Sequence, residues 1–168
     1  MISTNGRNTL ATLPVAAIAS LALAGSAPAA ESPAAPANCD GKEKWGSGVW
    51  LNVVAEDVRS SEGLINVTVY ADKRNKFLAK GGSLLASFFP AQKGETRACV
   101  FLPEAGVYAI AIYHDENANR KFDRNLLPTE GYGFSNNPST LAGLPAWSSV
   151  RLNVSKTNLV THIHMKYP

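Results

Sequence analysis

The sequence predicts an all-β fold, an antiparallel β-sandwich of about seven strands. Three observations predict it. Runs of β-branched and aromatic residues recur, most clearly Val-Trp-Leu-Asn-Val-Val at 49–54 and Leu-Ile-Asn-Val-Thr-Val-Tyr at 64–70. Gly, Pro, Asn and Asp punctuate the chain between these runs, each a residue that favours turns. No amphipathic helical stretch interrupts the pattern.

Residues 1–29 have the form of a secretory signal peptide. Arg7 is the one charge before Glu31, residues 10–24 are small and apolar, and Ala27-Pro28-Ala29 offers the small residues a signal peptidase reads. The apolar run is too short and Ala-rich for a membrane span, so the mature chain is expected to be exported, periplasmic or secreted, with no transmembrane segment. Residues 30–47 are a Pro/Ala-rich linker and tail, and 48–168 form the folded domain. Formal net charge is +3. Lys and Arg are dispersed rather than striped, which argues against a nucleic-acid partner. Two cysteines, Cys39 and Cys99, in an exported chain suggest a disulfide pinning the tail to a core strand; two free thiols are the other reading.

The strands follow in order. After the run at 49–54, residues 59–63 carry turn chemistry, and the run at 64–70 is broken by Asp-Lys-Arg-Asn at 72–75. Phe77 and Leu78 form a short helical turn or a plug over the core. Residues 83–89 read as a strand ended by Pro90, and 97–102 as the next. Pro103 and Gly106 make a turn. The strand at 107–114 is apolar on both faces and belongs in the middle of a sheet. Residues 131–138 are read as irregular, with Tyr132, Phe134, Asn136 and Asn137 packing the preceding loop or forming a ligand surface. The last strands are 147–154 and 159–167. In the latter, Leu159, Thr161, Ile163, Met165 and Tyr167 share one face, and Val160, His162, His164 and Lys166 the other.

The chemistry gathers after the central strand. Asp115, Asn117, Asn119, Lys121 and Asp123 stand at relative positions 1, 3, 5, 7 and 9 of a loop. Oxygens at odd positions of a curled loop converge, and calcium takes six to eight of them, with a backbone carbonyl sufficing at position 7. Leu126 replaces the bidentate Glu of an EF-hand at position 12, and the next carboxylate is Glu130, so the loop is of another kind. Arg120 stands where a Gly would ease a left-handed turn. The expected ligand set is Asp115, Asn117, Asn119, the Lys121 carbonyl, Asp123 and Glu130, with calcium as the ion. The alternative is an Asx-rich turn whose side chains bond their own backbone.

Other candidates are sparser. His162 and His164 point the same way from one strand and suit zinc or copper if a third ligand such as His114 approaches; surface imidazoles are the plainer reading. His114 could instead buttress Asp115. No nucleophile motif, phosphate loop or zinc-protease helix is present, and no catalytic residue is assigned. Loop carboxylates could serve a hydrolase only across a cleft. Trp45, Trp50 and Trp147 could offer a sugar platform, although sandwiches bury tryptophans routinely. Ser135 and Ser139 read as ordinary loop serines.

The segment Leu-Pro-Glu-Ala-Gly-Val-Tyr-Ala-Ile-Ala-Ile-Tyr-His-Asp-Glu-Asn-Ala-Asn at 102–119, with Glu-Gly-Tyr-Gly-Phe-Ser-Asn-Asn at 130–137, closely resembles the family called domain of unknown function 2141 (DUF2141). The resemblance implies an exported bacterial protein with a prealbumin-like or Cna-B-like sandwich, and glycines in relatives where this chain has Ala118 and Arg120. The expected role is a non-catalytic binding or structural module of the cell envelope. The alternatives are a carbohydrate- or small-ligand-binding module and, third, a hydrolase.

Overall fold

The computed structural model describes residues 37–46, 48–124, 129–140 and 144–168, together with Ile2. The signal peptide expected over 1–29 and the tether as far as residue 36 lie outside the described residues. All elements below belong to the unit Ser32–Pro168.

Two sheets face each other. The first comprises β1 (Cys39–Asp40), β5 (Gly94–Leu102), β2 (Val49–Val58) and β9 (Leu159–His164), in that spatial order. The second runs β4 (Ser83–Pro90), β3 (Leu64–Ala71), β6 (Gly106–Asp115) and β7 (Tyr132–Phe134), with β8 (Arg151–Val154) also on β6. Strand alternation makes the core. Leu51, Val53, Ala55, Val100, Leu102 and Ile163 of the first sheet meet Ile65, Val67, Val69, Ile110, Ile112 and Val154 of the second. Period-two side-chain direction places every one of these on an inner face.

Most pairings are antiparallel, as expected, but β1 lies parallel to β5 and β9 parallel to β2. The reason is connectivity. β8 and β9 are consecutive yet sit in opposite sheets, so their link is an arch rather than a hairpin. Asn158 docks that arch, donating its N–H to the Trp50 carbonyl while its side-chain oxygen accepts from Asn52 Nδ2.

The tail read as linker joins the fold at 37–46. β1 and a one-turn helix, α1 (Lys42–Trp45), lie on the first sheet, and the Cys39–Cys99 disulfide locks them there. Trp45, Trp50 and Phe101 pack around the sulfurs in a satellite cluster. Two further expectations are corrected. Residues 147–149 form a 3-10 turn rather than strand, and 132–134, read as irregular, form β7. β7 and β8 share the free edge of β6 end to end, pairing residues 111–113 and 106–109 respectively.

Candidate functional site

β6 is flanked by β3 from Tyr108 to its end, and Asp115 is its last residue, opposite Leu64. The loop therefore starts from a fixed point. Asp115 is 0 % exposed. Its Oδ1 accepts the Asn119 N–H at 3.0 Å and its Oδ2 accepts the Arg120 N–H at 2.7 Å. Asn117 Oδ1 also accepts the Asn119 N–H at 3.0 Å, and Asn119 Oδ1 accepts the Lys121 N–H at 2.7 Å. These bonds bend the chain through left-handed geometry at Ala118 (φ 55°) and Arg120 (φ 60°). The second is the strained position the sequence marked.

With their oxygens held by backbone, the two Asn amide nitrogens both donate to Asp123 Oδ2, each at 2.8 Å. The Asp123 carbonyl accepts the N–H and hydroxyl of Thr129 at 3.1 and 2.9 Å, closing the loop at its base. The Asp123 N–H donates to Glu130 Oε2 at 2.9 Å. Glu130 is only 5 % exposed, and its Oε1 is buried without a hydrogen-bond partner. The loop thus closes on itself in the manner of linked Asx turns, with one carboxylate oxygen left over.

The electrostatics record the same crowding. Burial pushes the Glu130 carboxyl above the ordinary 4.5, and the neighbouring Asp123 and Asp115 charges add to this, against the pull of backbone amides. The Tyr113 phenol is pushed up to about 12, by burial first and then by Asp115, Glu130 and Asp123. Among the described residues no cation forms an ion pair with those three carboxylates. The Arg120 guanidinium lies instead over the Phe88 ring, 5.3 Å from its centre. Nor are three His, Cys, Asp or Glu side chains gathered for a metal ion among the described residues.

The loop's foot is tied to remote parts of the chain. His114 is fully buried; its Nε2 donates to the Glu62 carbonyl at 2.7 Å and its Nδ1 meets the Tyr167 hydroxyl at 2.9 Å. A carbonyl can only accept, so Nε2 carries the proton and Nδ1 is free to accept from the phenol. The Tyr167 oxygen in turn accepts the Arg59 N–H. With both ring nitrogens so engaged, His114 neither buttresses Asp115 nor is free to join His162 and His164 as a third ligand; it fastens the end of β6 to the turn before β3. Arg59 pairs with Glu116 through both ends of its guanidinium. That pairing raises Arg59 and holds the Glu116 carboxyl below its usual range. Gly63 permits this closeness, since a Cβ there would stand 2.0 Å from the Asp115 carbonyl oxygen.

The segment after the loop supports it from the other side. Tyr132 and Phe134 project outward from β7 into an aromatic row with Phe122, Tyr113 and Phe77. Asn136 and Asn137, both at positive φ, bond the edges of β8 and β9. Asn137 donates to the His162 carbonyl and accepts the His164 N–H, as a neighbouring strand would.

Ser135 was misread as an ordinary loop serine. It is fully buried where β7 gives way to β8. Its hydroxyl accepts the Ile110 N–H at 3.1 Å and donates to the Val150 carbonyl. The alternation Tyr-Gly-Phe-Ser carried the signal, because period two turns Ser135 inward when Tyr132 and Phe134 face out. The three tryptophans form no common platform. Trp45 and Trp50 pack beside the disulfide, and Trp147 packs on Phe77 against the other sheet.

Asp115, at the start of the loop, offers acceptor oxygens rather than a reacting group. A general acid or base must reach a substrate proton, whereas Asp115 is sealed and both its oxygens hold amides of its own loop. No curated protein and no solved structure matches the chain. No helix among the described residues is long and apolar enough to cross a membrane. Residues 53–162, spanning both sheets and the whole loop, match the family described as "Uncharacterized protein conserved in bacteria (DUF2141)", and the chain belongs to it.

Proposed function

We propose that this chain is an exported, non-catalytic binding module of the cell envelope whose loop takes a hard divalent cation, calcium by its chemistry. The observation that carries the reading is Glu130 Oε1, a buried carboxylate oxygen with no hydrogen-bond partner, in a carboxyl that feels the charges of Asp123 and Asp115. A buried acceptor left unsatisfied costs about 1–3 kcal/mol, more when charged. A bound cation removes that cost and the repulsion among three carboxylates together. Asp123 and Glu130 would supply the first charged oxygens. Asp115, the carbonyl of Lys121 and the amide oxygens of Asn117 and Asn119, on rotation away from their Asx turns, would complete an oxygen-only set. The cation would replace the two amide donors now on Asp123. The disulfide and the apolar leader support export. The filled loop would be a rigid surface for a partner.

Thermal melting of the full chain in calcium and in chelator tests the ion. Calcium should raise the melting temperature by several degrees, since a ligand binding only the native state stabilises by mass action, and Asp123→Asn should abolish the rise. Equal melting in both solutions retires the proposal. The aromatic row of Phe122, Tyr113 and Tyr132, all partly exposed, favours a second reading, a sugar-binding face beside the loop. Intrinsic-fluorescence titration with cell-wall glycans tests it, and an unchanged signal across them removes it.

A further inference from the structure

A different group of side chains lies on the outer face of the first sheet. In β9, Thr161 and Ile163 face the core, so His162 and His164 face out, their side chains 54 % and 53 % exposed. Parallel pairing sets His162 beside Val54 and His164 beside Glu56 of β2. β2 then departs from regularity. Leu51, Val53 and Ala55 point inward, and Asp57 would follow them. Instead the strand bulges between Glu56 and Val58, Asp57 takes φ 61°, and Val58 fills the core position. The bulge re-aims a side chain: both acids, Glu56 and Asp57, end on the same face as the two imidazoles.

The contacts are close. His162 Nδ1 is 2.7 Å from Glu56 Oε1, His164 Nε2 is 3.3 Å from Glu56 Oε2, and His164 Nδ1 is 2.8 Å from Asp57 Oδ2. Glu56 thus bridges both rings, and His164 has a carboxylate at each nitrogen. Three nitrogen–oxygen contacts join two rings and two carboxylates in one exposed group. Arg97, which like His162 pairs with Val54, is engaged by Glu95 at 2.7 Å and stands apart from the group.

We propose that His162 and His164 with Glu56 and Asp57 form a site for a first-row transition-metal dication, Zn2+ or Cu2+. Two imidazole nitrogens and one or two carboxylate oxygens are the donor set these ions take, at four-coordinate sites. As folded, the side chains hold one another rather than surround a point. All four project from the sheet face, so an ion gathers them by side-chain rotation and displaces the shared protons. The backbone needs no change, because Asn137 already fixes the edge of β9 through the His162 carbonyl and the His164 N–H. Calcium prefers all-oxygen sites, so this site and the loop are chemically separable.

Isothermal titration of Zn2+ and Cu2+ into the full chain, free of any histidine tag, tests the assignment. One ion per chain should bind, and excess calcium should not compete. His162→Asn with His164→Asn should weaken binding at least roughly 100-fold, and Glu56→Gln roughly 10-fold. Glu130→Gln should leave it unchanged. Circular dichroism of the double variant, whose changes are exposed and polar, verifies that the sheet persists. Binding undiminished in the double variant, or indifferent to Glu56→Gln, overturns the site, as does failure of the wild-type chain to bind either ion.

Discussion

At the scale of single residues, the loop carries strain that can be released. Ala118 and Arg120 sit at φ 55° and 60°, where a non-glycine residue costs about 1–2 kcal/mol. Glycine recovers this but loses about 0.5–1 kcal/mol in chain entropy. Ala118→Gly should therefore stabilise by about 0.5–1 kcal/mol in urea denaturation. Arg120→Gly should come out near zero, because it also gives up the contact with Phe88, worth about 0.5–1 kcal/mol. A destabilised Ala118→Gly would mean the left-handed turn is not what the backbone adopts. Glu130 makes a pH-dependent prediction. Its pKa is raised in the fold, so its favourable contribution is present below the unfolded value near 4.5 and is lost as pH rises through the folded value. Without cation, Glu130→Gln should gain stability over the wild type as pH climbs from 4.5 to neutrality. Glu116 acts in the other window. Held low by Arg59, it contributes above 4.5, and that contribution is lost as pH falls through its lowered value. Denaturation at pH 4.5 and 7.5 in chelator checks the first sign. The odd-numbered spacing of the loop was legible in the sequence, as was the strain at residue 120. The partners of His114 were not, since Glu62 and Tyr167 reach it only through the sheet.

At the scale of elements, β7 and β8 are too short to hold the edge of β6 separately, and Ser135 splices them. Ser135→Ala leaves the Ile110 N–H and the Val150 carbonyl without their side-chain partner in a buried place. It should cost about 1–3 kcal/mol, read as a lower urea midpoint with unchanged slope. A neutral outcome would mean that the hydroxyl does not join the two strands. β2, β3, β4, β5 and β6 were readable because each carries a run of six or more residues rich in apolar, β-branched or aromatic side chains, set off by turn residues. β7 was missed because three residues carry too little alternation to separate strand from loop. The bulge at Asp57 was equally hidden: an acid after Glu56 reads as a strand end until Val58 is seen to rejoin the core.

At the scale of the molecule, the two-sheet architecture follows from alternation, while sheet order depends on pairings between strands distant in sequence, and the parallel placement of β9 on a partner, β2, more than a hundred residues away, which no local pattern encodes. The disulfide cross-links the tail to the sandwich, closing a separation of 60 residues. The chain-entropy account gives such a closure about 4 kcal/mol. Replacing both cysteines by Ser should lower stability by up to that amount while far-UV circular dichroism keeps the β signature, because β1 sits at a sheet edge outside the central core. Unchanged stability would show that the tail contributes nothing to the fold.

On the proposed reading, the loop's buried carboxylate oxygen would turn this sandwich from a bare scaffold into a cation-dependent surface. Calorimetric titration of calcium into the full chain, beside Glu130→Gln, measures that most directly. The account predicts one calcium bound by the wild type and none by the variant. Equal heats in the two, whether both bind or neither does, would contradict it.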